Sequence, residues 1–166
     1  MQLLRAIKHL CTPGFVALKP FREATLDKIE QAIDGSERMH SGELRFALEA
    51  GMEPMDVLRG MTPRERALQL FASLRVWDTE ENSGVLIYLQ LVDHRIEIVA
   101  DRGINRRVAQ REWDAICRRM EAAFRSGDFE AGALAAIDDI TRLLALHFPP
   151  AADNPDELPD RPVIVV

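Results

Sequence analysis

The sequence predicts an α/β fold, a small mixed β-sheet (a parallel pair plus an antiparallel hairpin strand) sandwiched between helices. Three observations carry this. Leu44, Phe46 and Leu48 alternate with more polar neighbours, as a strand does. Residues 85–92 form a near-continuous apolar run, as expected of a central strand covered on both faces. Between them lies a capped segment long enough to be a crossover helix, which requires the two strands to run parallel.

Each element follows from its own residues. At the N-terminus, Leu3, Leu4, Ile7 and Leu10 have the spacing of a short amphipathic helix, and Pro13-Gly14 breaks it. Lys8 and His9 interrupt the apolar run, so this is not a signal-peptide core. Thr25 reads as an N-cap before Leu26, Ile29 and Ile33, predicting a helix to about Met39. Residues 50–61 contain Gly51, Pro54 and Gly60 and read as a loop. Thr62-Pro63-Arg64-Glu65 is a capping box with proline at the first helical position, and Ala67, Leu70, Phe71 and Leu74 supply the apolar stripe. Asp93-His94 is a tight connection into Ile96, Ile98 and Ala100, giving a hairpin with a more exposed second strand. Trp113, Ile116, Cys117, Met120 and Phe124 mark the next helix, which Gly127 ends. Asp128 is read as the cap of the last helix, whose stripe runs from Phe129 to Leu144. Three parts result: an N-terminal amphipathic segment (1–20), an α/β domain (21–149) and a proline-rich acidic tail (150–166), which ends in the β-prone Val163 to Val166. The two ends look separable from the domain.

Composition narrows the function classes. The chain has 166 residues, 47% hydrophobic and 29% charged, which suits one domain with a real core. Its net charge of −6 argues against a general nucleic-acid partner. Cys11 and Cys117 form no CxxC pair, which disfavours a thiolate zinc site and favours a reducing compartment. No apolar run approaches a membrane span. The GxSxG, HExxH, GxGxxG and Walker A patterns are missing.

The topology brings residues 40–42, 78–83 and 101–107 to one edge of the sheet, and Glu49, Asp93 and His94 to the other. At the first edge Asp78, Glu80, Glu81, Asn82 and Asp101 offer hard oxygen ligands of the kind Ca²⁺ or Mg²⁺ takes. An ordinary solvated loop balanced by nearby arginines fits the same spacing. Arg102, Arg106, Arg107, Arg111, Arg118 and Arg119 crowd the following stretch. They read either as phosphate ligands or as a solvated helix face. Cys117 sits on an apolar stripe and reads as core.

The stretches "HSGELRFALE", "DTEENSGVLIYLQLVDHRIEIVADRGI", "EWDAICRRMEAAFRSGDFEAGALAAI" and "DELPD" together resemble the TPM domain family, and most closely its short bacterial branch. The resemblance covers about Gly42 to Asp160. Thr79, Asn82, Gly84, Asp101, Gly103 and Ile104 match the branch's motif positions. Ala100 stands where the branch usually has glycine. Asn105 stands where many longer relatives have glutamate, which removes a candidate ligand. The resemblance implies a mixed sheet between helices. It also implies two functions: a non-catalytic accessory module for a membrane-protein complex, or a metal-dependent phosphatase-like hydrolase of phosphomonoesters. The expected metal ligands are Asp78, Glu81, Asn82 and Asp101, for Ca²⁺ or Mg²⁺, and the expected phosphate ligands are Arg102 and Arg106. The expected location is cytoplasmic, with peripheral contact to the inner membrane through residues 1–20.

Overall fold

The structure, a computed structural model, describes residues 2–152 and 154–165. In chain order its elements are α1 (Gln2–Cys11), α2 (Gly14–Ala17), α3 (Glu23–Glu37), β1 (Glu43–Glu49), α4 (Pro54–Leu58), α5 (Pro63–Ser73), β2 (Gly84–Gln90), β3 (Arg95–Ala100), α6 (Arg102–Asn105), α7 (Gln110–Arg125), α8 (Phe129–His147) and β4 (Val163–Val165). The sheet order is β3-β2-β1-β4. β1 runs parallel to β2, with Glu43 opposite Gly84, and β3 runs antiparallel to β2. The expected mixed sheet between helices is therefore present.

Strand alternation sorts the core into two layers. Leu44, Phe46, Leu48, Val85, Ile87, Leu89, Ile96 and Ile98 face α3, α7 and α8, where Ile29, Ile33, Trp113, Ile116, Ile137 and Ile140 are buried. Leu86, Tyr88, Ala47 and Val99 face α5, where Ala67 and Leu70 meet them. Thr62 and Glu65 form the capping box that starts α5. Phe124 is only partly buried and joins Phe21 and Phe129 in a small aromatic cluster at the margin.

Five expectations need correcting. Thr25 is not a cap: α3 begins two residues earlier, and the Thr25 hydroxyl donates to Glu130 Oε2 at 3.0 Å. Residues 50–61 are not all loop, because Pro54 starts the short helix α4. Asp128 stands at the N-cap of α8, but its side chain makes no cap bond. β1 is buried along its whole length rather than half-buried. The reason is the fifth correction, the tail, which is not a separate appendage. Its residues 163–165 pair with β1 as a fourth, parallel strand, and Leu158 enters the α5 layer. The tail also supplies partners for the polar residues of β1. Arg45 donates to the carbonyls of Pro159 and Arg161, and Glu43 Oε2 accepts from Leu158 N at 3.0 Å. Arg161 in turn pairs with Glu23, Asp27 and Glu30 on α3.

The N-terminal segment is helical, as expected, and α1 lies against α4, with Ala6 in a small cluster beside Met52 and Val57. Among the described residues, no helix is long and apolar enough to cross a membrane.

Candidate functional site

β1 and β2 start at the same edge of the sheet and β3 ends there. That edge therefore collects Ser41, the 78–83 loop and the residues after Asp101, together with the end of α8. They enclose a groove of about 520 Å³ lined by Ser41, Glu80, Glu81, Asn82, Arg102, Gly103, Arg106, Arg107, His147, Phe148 and Pro149. Two glycines let the loops close. A Cβ at Gly84 would stand 1.9 Å from the Val76 carbonyl oxygen, and one at Gly103 would stand 2.5 Å from that of Asn82. The Thr79 hydroxyl accepts from Ser83 N at 2.9 Å, and Ser83 Oγ donates to the Ser41 carbonyl at 3.2 Å. The matched residues Thr79, Gly84 and Gly103 thus shape the loop, and their work there is geometric.

Glu81, Asn82, Arg102 and Arg106 all reach the groove. Glu81 Oε2 accepts from the Ser41 hydroxyl at 2.9 Å. Asn82 adopts a left-handed conformation (φ 53°), which asparagine tolerates better than most residues. Its Oδ1 accepts from Arg102 Nε at 2.9 Å. Asp78 and Asp101 are not among the lining residues. Asp78 pairs with Arg75 at 2.5 Å on the surface. Asp101 caps α6, with Oδ1 accepting from Arg102 N at 2.7 Å, and its Oδ2 is buried without a partner. Asn105 donates to the Ala100 carbonyl at 2.6 Å, so the two departures from the family pattern are bonded to each other.

The two walls differ in charge. Glu80 and Glu81 stand on one, and Arg102, Arg106 and Arg107 on the other. Among the described residues none of these arginines forms an ion pair: Arg102 bonds a neutral amide, and Arg107 donates to the His147 carbonyl and lies 4.5 Å over the Phe148 ring. Arg111, Arg118 and Arg125 are exposed on α7, away from the groove, which fits a solvated helix face.

Behind the groove, His40 is wholly buried, and burial pushes its pKa down to about 4. Gly42 N donates to its Nδ1 at 3.1 Å, so Nε2 carries the proton and donates to Ser36 Oγ at 2.8 Å. Ser36 then donates to Thr141 Oγ1 (2.7 Å), and Thr141 to the Ile137 carbonyl (2.6 Å). This chain fixes the backbone that leads into Ser41. Burial likewise pushes the Cys117 thiol up to about 12, leaving it a core residue.

Sequence reasoning missed one cluster. Glu37, Asp156 and Asp160 each offer an oxygen within 4.8 Å of the others, beside Glu43, in a pocket of about 350 Å³ beneath the tail. Among the described residues no other group of three acidic, histidine or cysteine side chains could hold a metal. Burial, with Glu43 and Asp160 adding repulsion, pushes Glu37 up to about 9, and burial pushes Glu43 up to about 7. Glu37 therefore keeps its proton and hydrogen-bonds Asp160, while Leu44 N donates to its Oε1 at 2.8 Å. Only the docked tail brings these acids together, and no local spacing announces that.

The opposite edge holds half-buried ion pairs. Arg66 donates to Glu49 from Nη2 (2.7 Å) and Nε (3.0 Å), and the Tyr88 hydroxyl donates to the same carboxylate. Arg5 donates to Asp93 Oδ2 from Nη2 (2.6 Å) and Nε (2.9 Å), and His9 Nε2 lies 3.1 Å from Oδ1. Burial alone would raise the Asp93 pKa; the bonds and charges of Arg5 and His9 outweigh it and hold the carboxyl below its ordinary value.

A family model described as "TPM domain" matches residues 19–143. No curated protein matches. Among solved structures, the chain is similar to the BA42 protein of the psychrophilic bacterium Bizionia argentinensis, determined by NMR. The identity is 30%, with 87% of this chain and 94% of that one covered and a TM-score of 0.77.

Proposed function

The chain belongs to the TPM domain family, and from that premise we propose that it acts as a non-catalytic accessory module for a membrane-protein complex, with the groove as its recognition surface. The supporting observation is how the polar groups are spent. Ser41 is bonded to Glu81, Asn82 to Arg102 and Asp78 to Arg75, and Asp101 caps a helix. Among the expected cation ligands, two line the groove and two do not. Arg102, Arg106 and Arg107 on one wall, like Glu80 and Glu81 on the other, have no ion pair among the described residues, and the arginine wall suits a carboxylate or phosphate group on a partner.

A second reading, a metal-dependent phosphatase-like hydrolase, draws on the opposed walls. Glu80, Glu81 and Asn82 would hold Ca²⁺ or Mg²⁺, which supplies charge stabilisation and an activated water when bound. Arg102 and Arg106 would hold the phosphate. Capture from detergent-solubilised membranes separates the two. The module reading expects one membrane protein retained by the wild type, with or without chelator, and lost with Arg102→Glu/Arg106→Glu. If calorimetry finds Ca²⁺ or Mg²⁺ binding that Glu81→Gln abolishes, together with chelator-sensitive turnover of an aryl phosphate, the hydrolase reading replaces it.

A further inference from the structure

Helix α1 is mounted with its polar side inward. Arg5 grips Asp93 and the Met61 carbonyl (2.8 Å), Lys8 donates to the Val92 carbonyl, and the buried His9 accepts from Met52 N at 2.9 Å. The apolar stripe consequently points away from the protein. Leu3, Leu4, Ile7 and Leu10 are 62%, 75%, 46% and 72% exposed, and Phe15 (79%) and Val16 (50%) of α2 continue the surface. An amphipathic helix normally buries its apolar face in its own domain. Here the long-range hydrogen bonds hold the other face down and leave the apolar one without cover.

We infer that this face docks on an anionic lipid surface, with α1 lying in the plane of the interface. Charge selects that occupant. Residues 1–22 contain Arg5, Lys8, Lys19 and Arg22 and no acidic residue, in a chain whose net charge is −6. Lys19 and Arg22 are exposed and form no ion pair among the described residues, whereas Arg5 and Lys8 are engaged by the domain. Leucine and phenylalanine beside unopposed lysine and arginine is the composition that binds the boundary between headgroups and acyl chains. A second copy is the competing occupant of the same face, and the flotation test separates the two. The docking gives the accessory reading its membrane and rests on that reading only for its purpose, since lipid alone is enough to test it.

The test is flotation of the full chain with vesicles of phosphatidylglycerol and phosphatidylethanolamine, against vesicles of phosphatidylcholine. The wild type should float with the anionic vesicles only, and less as salt rises. Leu4→Glu/Leu10→Glu and Lys19→Glu/Arg22→Glu should each weaken binding at least about tenfold. Both should keep the wild-type denaturation midpoint, since all four side chains are exposed. Leu146→Glu, which changes an exposed leucine on α8, should bind like the wild type. Arg102→Glu/Arg106→Glu should also float, so that a failed groove and a failed anchor give different patterns. Failure of the wild type to float, unimpaired flotation of Leu4→Glu/Leu10→Glu, or a concentration-dependent dimer dissolved by that variant would each overturn the inference.

Discussion

The two edges of the sheet hold similar residue types and use them in opposite ways. At the edge where β1 and β2 end, the acids have cations in contact: the buried Glu49 has Arg66, and the half-buried Asp93 has Arg5. At the edge where they begin, Arg102, Arg106 and Arg107 face solvent without an ion pair among the described residues, and Glu37 keeps its proton instead of finding a cation. A closed set of charges fixes structure, whereas an open one is available to a partner. The contrast supports the proposed recognition surface at the beginning edge more firmly than a count of carboxylates does, since both edges have them.

The largest effect should come from opening the closed edge. Glu49→Ala leaves the buried Tyr88 hydroxyl and the half-buried Arg66 guanidinium both without their partner and should cost about 3–5 kcal/mol in urea denaturation. A loss under about 1 kcal/mol would mean that this edge is as loosely tied as the other. Leu158→Ala tests whether the tail belongs to the core. A truncated buried leucine costs about 2–5 kcal/mol, whereas a separable tail would give almost no change.

The acid pocket makes a pH prediction. Glu37 and Glu43 have folded pKa values of about 9 and about 7, above their ordinary 4.5. The folded state therefore holds protons that the unfolded state has released, and stability falls as pH rises toward about 9. His40, held at about 4, contributes the opposite slope, but only below its ordinary 6.5. The melting temperature should therefore fall between neutral pH and about 9, and Glu37→Gln should flatten that fall. A wild-type curve that is flat across this range would remove the shared proton from the account. The smallest effect belongs to the open edge. Arg106→Ala should change stability by no more than about 0.5 kcal/mol, as expected of an exposed side chain with no ion-pair partner among the described residues.

What was legible in the sequence was local. The capping box at Thr62, the alternation of β1 and the apolar run of β2 fix the crossover, and the crossover fixes which loops meet. What was not legible depended on partners far along the chain. The amphipathic spacing of α1 shows a helix but not which side packs, because the deciding contact is Arg5 with Asp93, 88 residues away. Val163 to Val165 are β-branched, yet nothing local says that they pair with β1 or that the tail covers Glu43 and Arg45. Asp78 and Asn82 have the right chemistry for a cation. The arginine beside each, Arg75 and Arg102, is visible in the sequence, but the bond that takes up its oxygen is not.

The central claim is that the open edge recognises rather than catalyses. Its most direct test is aryl phosphate hydrolysis in Mg²⁺ or Ca²⁺, with and without chelator, by the wild type and Glu81→Gln. The same background rate is expected in every arm. Turnover that chelator removes and Glu81→Gln abolishes would contradict it.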